Sequence, residues 1–294
     1  MHPYMLHGTK IIPHTDPALS AGQVGLMNGW GVFSTLRAHQ GVLFEFHRHW
    51  LRMAKDAEAL HVAMPCTEQE MEDRLLRLLE ANNAQDATVR VMALRNHGGM
   101  WQGSQTMPES ELIAFSAPLK NWGSSVKLGV QPNARFAACE FVGAKILAWS
   151  MNLVWLERAN QQGFDEVILL NERGTISECT SANLFVKYGT EVLTPPLSDG
   201  CLPGVTRQLL VDTIRVEGYQ VREASLEVSD LQRADACFIT STTRDVLAVE
   251  SIDNRPLKQD RVFVDRWRAA FVDYLTQYVA THPRQSLPAG MTQR

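Results

Sequence analysis

The chain has 294 residues, a formal net charge of -4 at pH 7, 45% hydrophobic residues and 20% charged residues. That length leaves room for two domains around a sizeable core, and the acidic balance with no basic run argues against a nucleic-acid partner. No apolar run approaches the ~18 residues of a membrane span, and Met1 to Lys10 has no apolar signal-peptide core, so a cytoplasmic enzyme is expected.

In chain order, a helix is expected from about Glu45 to Leu60, followed by a second that a capping-box pair, Thr67 and Glu70, opens and that runs to about Asn82. Strands are expected at Ala87 to Leu94 and Glu111 to Ser116. The polar stretch from Pro118 to Ser125 then reads as a linker. Beyond it come a strand near Val126 to Gln131 and an amphipathic helix from about Leu147 to Gln162, ended by Gly163. Two strands flank Gly174 and another covers Val192 to Thr194, with helices at about Val205 to Glu217, Ser229 to Ala234 and Asp260 to Tyr278. The expected organisation is an α/β domain over residues 1–117, a linker over 118–125, a second α/β domain over 126–282 and a loose tail over 283–294.

The five cysteines are odd in number and show no C-x-x-C spacing, so they read as buried thiols. His47 and His49 stand two apart on one helix, point to different faces and cannot share a metal; no metal is assigned.

Lys145 is a lone amine in an apolar run from Phe141 to Trp149. Desolvation there disfavours the ammonium form and frees an amine for Schiff-base chemistry, although a lysine snorkelling past apolar neighbours fits this segment equally well. Downstream, Glu178 follows a turn at Gly174, and Gly204-Val205-Thr206 enters a helix. A carboxylate suits a protonated ring nitrogen, and the amides at a helix start suit a phosphate monoester. Lysine, carboxylate and phosphate cradle together describe pyridoxal 5'-phosphate.

These motifs resemble the class IV aminotransferases, the fold type IV pyridoxal-phosphate enzymes. The matching anchors are Lys145, Gly163-Phe164-Asp165-Glu166, Glu178 to Phe185, Thr194-Pro195 and Leu202 to Arg207. A looser match runs from Gly31 to Arg37 and through Phe46 to Arg52, and a third covers Phe238 to Thr243, so the resemblance spans roughly residues 20 to 255. It implies a smaller N-terminal and a larger C-terminal α/β domain with the cofactor between them. It also implies a homodimer in which a loop of one subunit, here Arg95 to Trp101, covers the other's site.

By the same resemblance Lys145 carries the cofactor, Arg52 binds its phosphate together with Gly204, Val205, Thr206 and Thr242, Glu178 faces the ring nitrogen near Asn183, and Leu202 packs on the ring. Phe33, Arg95, His97, Thr243 and Arg244 are substrate candidates. Arg95 could equally pin a strand end, and Arg244 could equally form a surface ion pair with Asp245. The chain has Ser34-Thr35 and His39 where branched-chain members carry Glu-Gly and Tyr, and an aromatic Trp149 four residues after the lysine, as in the aminodeoxychorismate lyase branch. The implied activity is amino transfer from an amino acid, branched-chain ones included, to a 2-oxo acid. The alternatives are a lyase releasing pyruvate and 4-aminobenzoate from 4-amino-4-deoxychorismate, and a non-catalytic cofactor-binding homologue.

Overall fold

The structure, a computed structural model, describes residues 1–20, 22–99 and 107–282. The end of the expected covering loop, Met100 and Trp101, and the expected tail over 283–294 lie outside the described residues. The chain forms two units: the first takes Met1–Lys120, Lys145–Ala148 and the chain from Leu275, and the second takes Asn121–Ala144 and Trp149–Tyr274.

The first unit is built on a six-stranded antiparallel sheet. Its strands are β1 (Tyr4–His7), β2 (Lys10–Pro13), β3 (Gly31–His39), β4 (Val42–Leu43), β5 (Ala87–Arg95) and β6 (Ser110–Ala117), in the order β2-β1-β6-β5-β3-β4. Alternation along β5 buries Val89, Val91 and Ala93 and leaves Arg90 and Met92 on the other face. Three helices accompany the sheet: α1 (Val24–Asn28), α2 (Phe46–Ala59) and α3 (Glu68–Ala81). In α2 the buried positions are Phe46, His49, Met53, Asp56 and Ala57, spaced as one helical stripe. In α3 the expected capping box is formed: the Glu70 amide donates to Thr67 Oγ1, and the Thr67 amide donates to Glu70 Oε2 at 2.8 Å. Leu36, Met53, Leu75, Leu78, Val89 and Val91 meet in the core of this unit.

The second unit holds a nine-stranded mixed sheet made of β7 (Ser125–Arg135), β8 (Glu166–Asn171), β9 (Ile176–Cys179), β10 (Asn183–Tyr188), β11 (Glu191–Thr194), β12 (Gln220–Glu223), β13 (Ala236–Ser241), β14 (Asp245–Ile252) and β15 (Arg255–Pro256). Eight of these run in the order β12-β11-β10-β13-β14-β7-β8-β9, and β15 pairs with β14. The pairs β11/β12, β14/β7 and β7/β8 are parallel. Its helices are α4 (Ser150–Gln161), α5 (Val205–Gln208) and α6 (Val228–Leu231), and α7 (Arg261–Thr281) starts in this unit and ends in the first. Ile168, Leu184, Val186, Ile239 and Val249 fill the main core, and Phe185 stacks on Phe238 with ring centroids 5.0 Å apart.

The structure departs from the sequence reading in four places. The helix expected from Leu147 starts at Ser150, because Ile146 bridges to Val32 and the Leu147 amide donates to Gly31 O at 2.9 Å. Those bonds also place Lys145–Ala148 in the first unit rather than in one continuous domain over 126–282. The helix expected to reach Glu217 widens after Gln208 into a π-turn, Leu209–Thr213, where the Ile214 amide donates to Leu209 O and the helix ends. Of the five thiols read as buried, Cys139 is exposed and Cys66 partly so, whereas Cys179, Cys201 and Cys237 are buried. Cys139 sits in a turn outside any strand or helix, which gives its side chain no core to enter.

Candidate functional site

In the first unit Lys145 lies in irregular chain and is half-buried rather than buried, since the run from Phe141 to Trp149 forms no strand or helix that would sequester it. Its main chain is nevertheless held at both ends. The Lys145 amide donates to Asp56 Oδ2 at 3.0 Å, and its carbonyl accepts from the Phe33 amide at 2.9 Å. Gly31 makes this approach feasible, because a Cβ there would stand 2.6 Å from Leu147 Cδ1 and overlap the Ala93 carbonyl. The Lys145 Nζ rests 4.6 Å from the centroid of the Phe33 ring, and the Arg90 guanidinium lies 3.9 Å from the same centroid. Burial holds Arg90 below the usual guanidinium range.

Arg52 follows His49 by three residues on α2, which puts both on one face. Its Nη2 donates to Ser34 Oγ at 2.8 Å and lies 3.4 Å from His49 Nδ1, and Ser34 Oγ is 2.9 Å from that nitrogen. An arginine only donates, so its approach to His49 Nδ1 suits a neutral ring assigned with the proton on Nε2 and with Nδ1 as acceptor, to which the serine hydroxyl can then donate. Burial, reinforced by the charges of Arg52 and Lys145, holds His49 well below the usual imidazole value, consistent with that neutral form. Burial raises Asp56, against the Lys145 amide bond and the charges of Arg52, Lys145 and Lys55.

Two of the substrate candidates of this unit, Arg95 and His97, spend donors locally. Arg95 Nε donates to His97 O at 2.6 Å and Nη1 to His61 O at 2.5 Å, with the guanidinium 4.3 Å over Trp30. The His97 ring donates from Nε2 to Met107 O at 2.7 Å. Arg95 thus braces the end of β5, and His97 the chain that follows it.

In the second unit Glu178 stands inside β9, after β8 and the Gly174 turn, and is 6% exposed. One carboxylate oxygen accepts from Arg135 Nη2 at 3.3 Å and the other from the Leu202 amide at 3.1 Å. Arg135 Nη1 also donates to Asn152 Oδ1 at 3.2 Å, which fixes the guanidinium on its carboxylate. Asn183 Nδ2 donates to Leu202 O at 3.0 Å, so Glu178 and Asn183 grip the Leu202 peptide from either side. Gly204 lies so close to Asn183 that a Cβ would overlap Oδ1. Val205 and Thr206 open α5, where first-turn amides have no partner within the helix. Ser241 closes β13, and Thr242, Thr243 and Arg244 form the turn into β14, Ser241 pairing with Asp245. Arg244 is buried and pairs with Glu166 across the sheet, not with Asp245 at the surface; its side chain is already committed within the fold.

The sequence reading missed Arg90, Ser34, His49 and Asp56 in the first unit and Arg135 in the second. Arg90 carried a signal, a charge interrupting the apolar alternation of β5, whereas Arg135 lay beyond the expected strand end at Gln131. Among the described residues no group of three or more His, Cys, Asp or Glu is placed to hold a metal, and no helix is long and apolar enough to cross a membrane.

A family model described as amino-transferase class IV matches residues 31–252. A Methanocaldococcus jannaschii protein, provisionally named a branched-chain-amino-acid aminotransferase, is 28% identical over 274 residues, covering 92% of this chain and 95% of that one. The D-alanine aminotransferase of Bacillus licheniformis is 24% identical over 257 residues, covering 86% and 89%. Among solved structures, the branched-chain aminotransferase of Thermoproteus uzoniensis with norvaline superposes with a TM-score of 0.85 at 21% identity, covering 95% of this chain and 98% of that one. With most of its length matched by the family model, the chain belongs to the class IV aminotransferases, enzymes that act on small amino and 2-oxo acids with pyridoxal 5'-phosphate.

Proposed function

We propose that this aminotransferase uses Lys145 as its covalent anchor and proton carrier and takes a branched-chain aliphatic amino acid as donor. The observation that carries the reading is the Phe33 ring with the Lys145 amine and the Arg90 guanidinium both against it: a nucleophilic base beside a cation suited to a carboxylate. The name of the Methanocaldococcus jannaschii relative supports the donor class.

The second unit has features that fit the cofactor. Thr206 Oγ1 and Ser241 Oγ are buried with no hydrogen-bond partner among the described residues, which leaves hydroxyls for a phosphate, and Gly204 keeps the adjoining chain free of a side chain. Arg52, the amides of Val205 and Thr206, and Thr242 would hold that phosphate, with Gly204 allowing the approach. Leu202 would pack on the ring, its peptide fixed by Asn183. Glu178 would keep a negative charge beside the ring nitrogen, oriented by Arg135 and the Leu202 amide.

When bound, the cofactor supplies a conjugated ring that accepts the electrons left at the substrate Cα. Lys145 Nζ would take the Cα proton and return it to C4′ of the cofactor, two atoms away, and its fixed main chain confines the swing to the side chain. Neutral His49 keeps Ser34 and Arg52 aligned without adding a third positive charge. Thr243 would present its amide to the substrate carboxylate from the β13–β14 turn. We also infer a cytoplasmic homodimer, supported by the exposed apolar side chains Phe136, Met151 and Leu153, with sedimentation as the check on the dimer.

A half-reaction screen tests the activity. Holoenzyme mixed with L- and D-amino acids should lose its cofactor absorbance with leucine, isoleucine or valine and recover it with a 2-oxo acid. No change with any donor, together with pyruvate release from aminodeoxychorismate, would replace amino transfer by the lyase reaction.

A further inference from the structure

Arg244 carries a charge in a turn whose neighbours Thr242 and Thr243 are short and polar. Its guanidinium is buried and is held by groups of the second unit. Nη1 donates to Ser181 O at 3.0 Å, and Nη2 donates to Ser181 Oγ and to Glu166 Oε2, both at 3.1 Å. The Trp122 ring lies 3.8 Å from the guanidinium carbon. Glu166 is itself buried and accepts from Thr180 Oγ1, from Ser181 Oγ at 2.7 Å and from its neighbour's amide, Val167, at 3.1 Å. At the other end, the Arg244 amide donates to Ser241 O at 3.1 Å and closes the turn.

Two short segments are therefore joined by one side chain. The first is the Ser241–Arg244 turn, with its unpartnered Ser241 hydroxyl and the Thr242 hydroxyl. The other is Thr180-Ser181, directly after the β9 strand that carries Glu178. Burial lowers the arginine from its usual value while Glu166 opposes the shift, as expected of a cation kept by one carboxylate. A buried ion pair is a weak source of stability, and an apolar pair of similar volume often serves as well. A planar fork that bonds three acceptors and stacks on an indole instead fixes orientation.

We infer that Arg244 is a positioning residue that clamps the phosphate-binding turn to the strand end bearing Glu178, so that cofactor phosphate and ring nitrogen are met in fixed register. This rests on the proposed cofactor roles of Thr242 and Glu178. Because β9 pairing, Arg135 and Leu202 hold Glu178 independently, loosening the clamp releases the turn and weakens the phosphate contacts first.

The test compares wild type, Arg244→Lys and the double variant Arg244→Met/Glu166→Met. Each is measured for binding of pyridoxal 5'-phosphate and of pyridoxal, which lacks the phosphate, for thermal melting, and for kcat and KM. The double variant leaves no buried charge unpaired, so it separates folding from positioning. The preference for the phosphorylated cofactor should fall at least tenfold in the double variant while its melting temperature stays within a few degrees, and Arg244→Lys should recover part of that preference. An unchanged preference in a folded double variant, or a loss matched equally by pyridoxal, overturns the inference. Wild-type protein that binds neither compound overturns the cofactor roles on which it rests.

Discussion

Lys145 is fixed by its main chain, between the Asp56 carboxylate and the Phe33 amide, and its amine extends over an aromatic ring. Glu178 is the reverse: it lies within a strand, and both oxygens of its side chain are held, by Arg135 and by the Leu202 amide. A group that must move a proton between two atoms needs a rigid base and a mobile tip. A group that must present a constant charge needs a rigid tip. The bonds from Asp56 and Phe33 hold the lysine's main chain, whereas those from Arg135 and Leu202 hold the carboxylate, as the roles proposed for the two would require.

The comparison is broken most severely by Lys145→Ala, which should lower turnover by about a thousandfold or more while leaving the Ile146–Val32 bridge and the fold intact. Borohydride reduction and peptide mapping should place the pyridoxyl label on Lys145; a label on another lysine would remove its proposed role. Glu178→Gln keeps the shape and loses the charge, and turnover should drop by about a hundredfold. Wild-type turnover in that variant would mean the carboxylate serves only to hold Leu202. Arg52→Ala should weaken pyridoxal phosphate retention by on the order of 2 kcal/mol, about thirtyfold, measured by equilibrium dialysis.

His49 offers a stability test of the first unit. Its folded value lies below the usual 6.5, so the unfolded chain binds a proton that the native protein excludes. Above that pH the residue is neutral in both states and contributes no slope. As pH falls below it, stability should decline by about 1.4 kcal/mol per unit relative to His49→Gln, until the depressed native value is reached. Melting curves of the two proteins that stay parallel from pH 6.5 to 5 would contradict the neutral imidazole. The smallest effect is expected from Thr206→Val. Its hydroxyl has no partner among the described residues, so melting should hardly change, while cofactor affinity should fall by about 1 kcal/mol, roughly fivefold.

What could be read in the sequence was local. The α3 capping box depends on Thr67 and Glu70, three residues apart, and the α2 stripe on a helical period, so pattern alone reached both. The order of Lys145, Glu178 and Gly204 likewise lies along one stretch of chain. Contacts at long separation were beyond it. Arg244 meets Glu166 from 78 residues away, and with no way to see that partner the nearest carboxylate, Asp245, was the natural alternative. Asp56 and Lys145 are 89 residues apart, so the bond that fastens the lysine amide left no trace in spacing. The early end of the helix after Val205 escaped for a different reason. Periodicity does not distinguish an α-helix from one that widens into a π-turn at Leu209.

The return of Lys145–Ala148 and of the chain from Leu275 to the first unit bears on the order in which the protein acquires its structure. A nascent chain that has reached Lys120 possesses all six strands of the first sheet, yet the Val32 edge has no Ile146 to bridge and Phe44 has no Tyr278 ring to meet, a contact with centroids 5.2 Å apart in the finished protein. Synthesis from the N-terminus therefore yields a first unit that is patterned early and completed late, after the whole of the second has emerged. The segment carrying Lys145 is one of the two pieces it waits for, so that residue is seated by long-range closure and not by local folding.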